Sequence, residues 1–572
     1  MVRTSHESKL SPVPRGAGNA LALILIAAGI AVRVLAILHQ RVNSDEPQHL
    51  HVAWGWTQGL LPYRDVFDNH SPLFSLLMSP WLQLAGERPD IVVVMRLAVV
   101  PFALIALGAT WIIARRLFSP RVALWAVALA AVNPEFMRAS VEYRTDQMWM
   151  AAWLSALAVM VSGRPTRGRA LASGVLLGVA VATSMKTSLL IMSLAGAVVA
   201  TVVLLVRERK RVPVRELAVR AVIALLGMVL LPAALAAYFA ARGAWPQLLY
   251  GVFGHNLVSG LGMWRTAPLR PLLLVVGAPA LWLMARAIVR HAPDPRLGAL
   301  RAVPFIATGL AHGLIEGFWP LVTRADLLPL LPIECVYLAA LLLALPEAAM
   351  RRVPGARVLA HALAWAPALL LAVLTVAAAT NDPVWRDRTQ SNSAATRQVL
   401  RLTSPGDLVM DAKGEAIFRR RPYYLALESI TEERFHRGLL RDDIPERMIA
   451  SGTPALLQEN LTPFPPRARK FIETCYLPVG WLRVVGARLE QSAGGAEAPR
   501  DFVVEVPQRY ALVSPSGQAR GWLDGSRYLE PRALTRGWHS YRPRRGEGLV
   551  AFVWADAVKR GASPFKPWSL ER

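Results

Sequence analysis

The residues of this chain whose types could do chemistry fall in a few short polar segments of an otherwise apolar sequence. NSDEPQHLHVAWGWTQGLLPYRDVFDNHSP, Asn43–Pro72, gathers Asp45, Glu46, Asp65, Asp68, Arg64 and His70. A carboxylate in such a place can take a proton from a hydroxyl or amine, the work of a general base. The plainer reading of Asp45 and Glu46 is a helix cap and a first-turn acid opposing the helix dipole. For Arg64, Asp65, Asp68 and His70 it is a solvated turn; the chemical alternative is contact with sugar hydroxyls or positioning of the loop itself. VEYRTDQ sets Arg144 two residues before Asp146, either as a structural ion pair or to hold substrate and orient a base. Lys186, in ATSMKTSLL, and Arg324, in VTRADLLPLLP, are cations that either snorkel to water or hold a phosphate. His255 and Asn256, in GVFGHNLVSG, are further candidates to line a cavity. No spacing matches a P-loop, a dinucleotide fingerprint or a zinc helix.

Membrane-spanning helices must position these groups. The 572 residues are 54% hydrophobic and 18% charged, with a mean hydropathy of +0.35. Apolar runs of about 18–25 residues recur, each long enough to cross a bilayer. They predict about eleven spans, near 19–39, 90–114, 121–139, 147–163, 170–185, 187–206, 216–241, 270–289, 302–320, 326–346 and 357–380. The first run follows Arg3, Lys9 and Arg15 and imitates a signal peptide. It has no convincing small-residue cleavage site, so it reads as a retained anchor. The net charge of +25, from 64 Lys and Arg against 39 Asp and Glu, suggests nucleic acid until its distribution is considered. The basic residues gather in short loops: RRLFSPR, RPTRGR, RERKRVPVR, RAIVRHAPDPR and RRVPGAR. With the N-terminus inside, all five are cytoplasmic, as the positive-inside rule requires. Cys335 and Cys475 lie in different kinds of segment, which supports neither a disulfide framework nor a thiolate metal site.

That orientation turns the remaining loops outward and makes residues 381–572 an extracytoplasmic domain. The acids Asp45, Glu46, Asp65, Asp68, Glu87, Asp90, Glu135, Glu142, Asp146 and Asp326 then share the outer side with the cations Arg64, Arg138, Arg144, Lys186 and Arg324. Ionisable groups at membrane depth face cavities and mark function, and both signs together suit a substrate that is partly phosphate. Within the long loop 40–89, Pro47 suits the first turn of a helix capped by Ser44 or Asp45, and Gly59 ends it. About 13 residues rise only about 20 Å, too short to span, so its tryptophans place it flat at the headgroup level. A second short helix starts after Pro72. In the tail, 381–485 reads as α/β and 500–572 as a small β-sandwich.

The pattern DEPQHLHVAWGWTQGLLPYRDVFDNHSPL, with Arg144-x-Asp146 and the RADLLPLLP around Arg324, resembles the C-type glycosyltransferases over roughly residues 20–380. These are polytopic enzymes that use polyprenyl-phosphate sugars, among them protein O-mannosyltransferases and lipid A aminoarabinose transferases. The resemblance implies a multi-pass protein of the bacterial inner membrane with a catalytic module at 1–380 and a periplasmic domain at 381–572. It implies inverting transfer of a hexose or pentose to a lipid, glycan or protein acceptor. Asp45 would be the base, with Glu46 its rival; Lys186 and Arg324 would stabilise the departing phosphate, helped by Arg144; Asp146 would bind sugar or steady the base. The family's first-loop Lys-Pro-Pro is here His70-Ser71-Pro72, so that lysine contact is absent. A divalent cation serves some members, and the sequence leaves it open here. A transporter or flippase is the alternative function; it predicts internal repeats and broken mid-membrane helices, and the sequence shows neither clearly. A silent assembly protein using the charged loop as a docking surface is a third.

Overall fold

The computed structural model describes residues 15–258, 270–352, 356–457, 461–490, 498–545 and 547–566; the basic residues Arg3 and Lys9 lie outside them. All eleven expected segments are helical. The first ten helices are α1 (Arg15–His39), α2 (Asp45–Thr57), α3 (Leu73–Ala85), α4 (Ile91–Leu117), α5 (Pro120–Val132), α6 (Pro134–Ala139), α7 (Thr145–Val161), α8 (Arg167–Thr183), α9 (Thr187–Arg207) and α10 (Val214–Ala241). Arg270–Arg290, Pro295–Phe318, Leu331–Arg352 and the pair Arg357–Ala364 and Ala366–Thr380 complete the set. Among the described residues, six helices are long and apolar enough to cross a membrane, and shorter apolar helices accompany them. The chain is a multi-pass membrane protein.

The expected span 121–139 is likewise two helices. Asn133 ends α5 and starts α6, its side-chain oxygen accepting the N–H groups of Glu135 and Phe136. Pro134 has no N–H to continue the α5 ladder, so the chain turns there. A 3₁₀ turn at Arg324–Leu327 similarly delays the next helix to Leu331, later than the expected 326.

By contact, the chain divides into two compact units. One comprises the chain up to Arg41, Asn69–Leu77 and Met95–Asp387; the other comprises Val42–Asp68, Met78–Val94 and Arg388–Arg572. In the first, α8 packs closely on α10. A Cβ at Gly174 would lie 2.1 Å from the Ala224 carbonyl oxygen, so only glycine permits that approach. The end of α1 is fixed by Arg96 of α4, fully buried, which donates to the carbonyls of Ile37, Gln40 and Arg41 at 3.2, 2.9 and 3.2 Å. Those are carbonyls the helix end leaves without intrahelical partners, and a cation is favoured there.

In the second unit, α2 forms where expected, with Gly59 in the left-handed region just after it. It does not carry a lipid-facing stripe. Every residue from Glu46 to Gly55 is buried, including Gln48, His49 and His51. Trp54 stacks on His51 with ring centres 5.4 Å apart. Protein covers both its polar and its apolar faces from Glu46 to Gly55, so the expected lipid-facing tryptophan stripe is absent there. The C-terminal residues build a mixed sheet in which Val409–Met410, Ala455–Leu457, Leu482–Leu489, Val550–Trp554, Gln508–Ser514 and Arg532–Leu534 lie side by side. Only the first pair is parallel. A second, four-stranded sheet packs on it, with Phe502 stacked on Phe552 at 4.7 Å. The expected division into an α/β part and a sandwich is therefore not a division of sheets: Leu482–Leu489 of the first part pairs directly with Val550–Trp554 of the second.

Candidate active site

In the membrane unit, the starts of α7 and α9 and the turn before Leu331 bring their charged residues together. Asp146 lies in the first turn of α7 and accepts from Arg144 Nε at 3.0 Å. Arg144 also reaches Glu142 at 3.5 Å, and Glu142 lies 3.6 Å from Arg138. Arg138 pairs with Glu135 at 3.3 Å, and Glu135 with Arg324. At the other end, Lys186 Nζ pairs with Asp326 and stands 3.9 Å from Asp146. The result is an alternating row: Arg324, Glu135, Arg138, Glu142, Arg144, Asp146, Lys186, Asp326. Two bonds steady its turns. Gln147 Nε2 donates to the Glu142 carbonyl at 2.6 Å, and Gln40 Nε2 to the Glu142 carboxylate at 3.2 Å.

Lys186 and Arg144 are the enclosed cations of the row, with 19% and 12% of their side chains exposed against 76% for Arg324. The Lys186 ammonium lies 5.8 Å from the Trp149 ring centre and 5.4 Å from that of Trp319. Indole faces attract a cation while keeping water away. Burial works against this charge, but Asp326 and then Asp146 outweigh it and hold Lys186 above the ordinary lysine value. The starts of α7 and α9 add positive dipole ends, so the place favours an incoming anion.

In the second unit, the neighbours Asp45 and Glu46 differ sharply. Glu46 is fully buried and accepts the Asn43 N–H at 2.9 Å, closing the start of α2. Asp45 keeps 27% of its side chain exposed, and its Oδ1 accepts from Lys413 Nζ at 2.6 Å. Arg64 and Asp65 pair with each other at 2.8 Å, and Asp65 also accepts the Leu61 N–H at 2.8 Å, so both serve a turn. The Arg64 hydrogen bond holds the Asp65 carboxyl below its usual range. Back in the membrane unit, His255 is fully buried, 3.4 Å from the Tyr250 hydroxyl, at the end of a short π-helix. Asn256 donates to the Asn69 carbonyl at 2.8 Å, next to the half-buried His70.

Arg144, Asp146, Lys186 and Arg324 thus join one row in the membrane unit, while Asp45, Glu46, Arg64 and Asp65 lie in the other unit. Asp326, Glu142, Glu135 and Arg138, noted in sequence only as outer-side charges, are their partners. Lys413 escaped notice altogether; its one signal is its place in DAKGEAIFRRR, a turn-forming Asp-x-x-Gly before a basic run. No group of three or more His, Cys, Asp and Glu among the described residues is placed to hold a metal ion. The carboxylates of the row face guanidinium and ammonium groups, an arrangement that does not fit a divalent cation.

Residues 69–235 match the family described as dolichyl-phosphate-mannose-protein mannosyltransferase. Among solved structures, ArnT from Cupriavidus metallidurans in the apo state is similar at a TM-score of 0.53 and 17% identity, covering 82% of this chain and 98% of that one. The chain shares the fold of that structure. ArnT of the same organism bound to undecaprenyl phosphate gives a TM-score of 0.53, 16% identity and the same coverage. The archaeal oligosaccharyltransferase AglB from Archaeoglobus fulgidus, in complex with an inhibitory peptide and a dolichol-phosphate, is 14% identical at a TM-score of 0.44, covering 77% of this chain and 69% of that one. No curated protein matches significantly. The stretch that matches the family spans Arg144, Asp146 and Lys186.

Proposed function

We propose that the chain is a glycosyltransferase that moves a sugar from a polyprenyl-phosphate donor to a hydroxyl or amine on the periplasmic face of the inner membrane, with inversion at the anomeric carbon. The observation that supports this reading most is the Lys186 cluster: a cation lodged between two carboxylates and two indoles, at helix starts within the family-matched stretch. A lipid-borne phosphate needs such a seat. On leaving it gains negative charge, and a fixed cation in a dry place stabilises that charge most. Lys186 is that cation. Arg144 and Arg324 stand on the same row and can turn from Glu142 and Glu135 toward a dianion, while Asp146 orients Lys186 and Arg144 or meets the sugar.

Asp45 is the base, because its rival Glu46 is wholly enclosed. Its carboxylate takes the acceptor proton as the acceptor oxygen or nitrogen bonds to the anomeric carbon. The bond from that carbon to the phosphate oxygen breaks, and its electron pair leaves with the polyprenyl phosphate. Attack opposite the leaving group inverts the centre, through an oxocarbenium-like transition state.

The test incubates the purified full-length protein with radiolabelled undecaprenyl-phosphate hexoses, pentoses and aminosugars, together with cell-envelope extract as acceptor source. Transfer from at least one donor is expected. Asp45→Asn should abolish transfer and retain donor binding, whereas a fully active D45N would remove Asp45 from the mechanism.

A further inference from the structure

The loop Asp411–Arg421 carries Lys413 to Asp45 and is built in a way that a surface turn does not require. Asp411 is fully buried and accepts the N–H groups of Gly414 and Ala416 at 2.7 and 2.8 Å. Arg421 pairs with Asp411 at 2.8 Å and donates to the carbonyls of Asp411 and Ala412 at 2.9 and 3.1 Å. This clamp forces a tight turn, and Gly414 takes it at φ +90°, where only glycine sits without strain. Gly414 also lies against α2: a Cβ there would come within 2.8 Å of His51 Cβ. On the other side, His51 Nδ1 is 2.9 Å from the Ile417 carbonyl. The loop is therefore pressed onto α2 at His51, less than two turns along from the helix start that holds Asp45.

We propose that Lys413 is the positioning residue of Asp45, and that the Asp411–Arg421 loop is its mount. This rests on the reading of Asp45 as base. The Lys413 ammonium lies 2.6 Å from Asp45 Oδ1 and 3.2 Å from Ser44 Oγ, with 16% of its side chain exposed. A charge-assisted bond of that length fixes one carboxylate oxygen and stops rotation of the group. The plane in which Asp45 meets the acceptor proton is then set by the protein. Such orientation is worth much in rate: misplacing a reacting group by about 1 Å costs about 100-fold. A lysine serving only to neutralise a surface acid would need neither the buried Asp411–Arg421 clamp nor a left-handed glycine against His51.

The test uses the full-length protein in lipid nanodiscs. Carbodiimide treatment should join Lys413 to Asp45 by an amide, found by peptide mass spectrometry, because only groups already in contact form this zero-length link. In transfer from the undecaprenyl-phosphate sugar that the wild type uses, Lys413→Met should lower kcat about 30-fold with KM for the donor within about threefold. Lys413→Arg, which keeps a donor and a charge, should recover to within about fivefold of the wild-type kcat. Gly414→Val should lose both the cross-link and kcat without touching either charged residue. A missing cross-link, or K413M with the wild-type kcat, overturns the positioning role. A wild type that transfers from none of the donors strikes instead at the proposed function, and the cross-link still reports on the contact.

Discussion

The two units arrange charge in opposite ways. In the membrane unit, acids and bases alternate along a connected row from Arg324 to Asp326, and each inner member touches a partner on either side. In the second unit the pairs are discrete: Asp411 with Arg421 is nearly enclosed, and Asp45 with Lys413 is partly open. A connected row can admit an anion cheaply, because a cation turning toward it leaves behind a carboxylate that still has another partner. A discrete pair holds one group in one geometry. The first arrangement suits seating a phosphate, the second aiming a single base.

The sharpest break in this comparison is Lys186→Met. Asp326 and Asp146 have side chains only 1% and 6% exposed, and both would lose their shared cation. Stripping one partner from a buried ion pair costs about 3–5 kcal/mol, so thermal unfolding in detergent should fall steeply. Transfer should drop about 1000-fold, the order seen when a transition-state charge loses its stabilising group. Adding Asp326→Asn should recover much of the stability and none of the transfer. Asp146→Asn should cost less, about 10–100-fold in transfer, because Lys186 keeps Asp326 and Arg144 keeps Glu142.

A subtler contrast concerns the mount of Lys413. Burial, then repulsion from Asp411, pushes the Glu415 carboxyl up to about 7 from an ordinary 4.5. The native protein therefore keeps that proton through pH 4.5–7, while the unfolded chain loses it. Stability falls as pH rises across this window, and the full penalty applies above it. Glu415→Gln retains the oxygen that accepts the Lys413 N–H at 2.7 Å and removes the titration. It should stabilise the full-length protein at pH 8 by about 1–3 kcal/mol, at about 1.4 kcal/mol per pKa unit, and change little at pH 4.5. The differential unfolding of E415Q and wild type at the two pH values measures it.

Much of this was legible in the sequence, because the bilayer imposes long apolar runs and the chain obeys. The start of α2 at Asp45 and its end by Gly59 followed from Pro47 and Gly59, whereas the expected cap did not form: Ser44 makes no side-chain cap hydrogen bond, and Glu46 accepts the Asn43 N–H instead. Asn133-Pro134 was legible too, since a proline cannot donate, but the apolar run concealed the break. What could not be read was the cover of α2. Its tryptophans suggested lipid, yet Gln48, His49 and His51 are buried as fully as Leu50 and Ala53. A local pattern reveals which face is apolar, not that distant protein will cover both. Lys413 was hidden for the same reason: it meets Asp45 from 368 residues away, a pairing no periodicity records.

Arg324 should give the smallest effect, and it tests how far the row acts as a unit. Its side chain is 76% exposed and pairs with Glu135, itself 29% exposed. Pairs of this kind contribute about 0–1 kcal/mol and weaken in salt, so Arg324→Ala should leave the unfolding temperature nearly unchanged. Because the guanidinium gives up little on leaving Glu135, it can swing toward a bound phosphate at small expense. Donor affinity, titrated with undecaprenyl phosphate, should fall about three- to tenfold at low ionic strength, and the deficit should shrink as salt is raised past about 0.5 M. A salt-independent loss of about 100-fold would mean that Arg324 grips the phosphate as tightly as Lys186. The open end of the row would then work like its enclosed end, contrary to what their exposures imply.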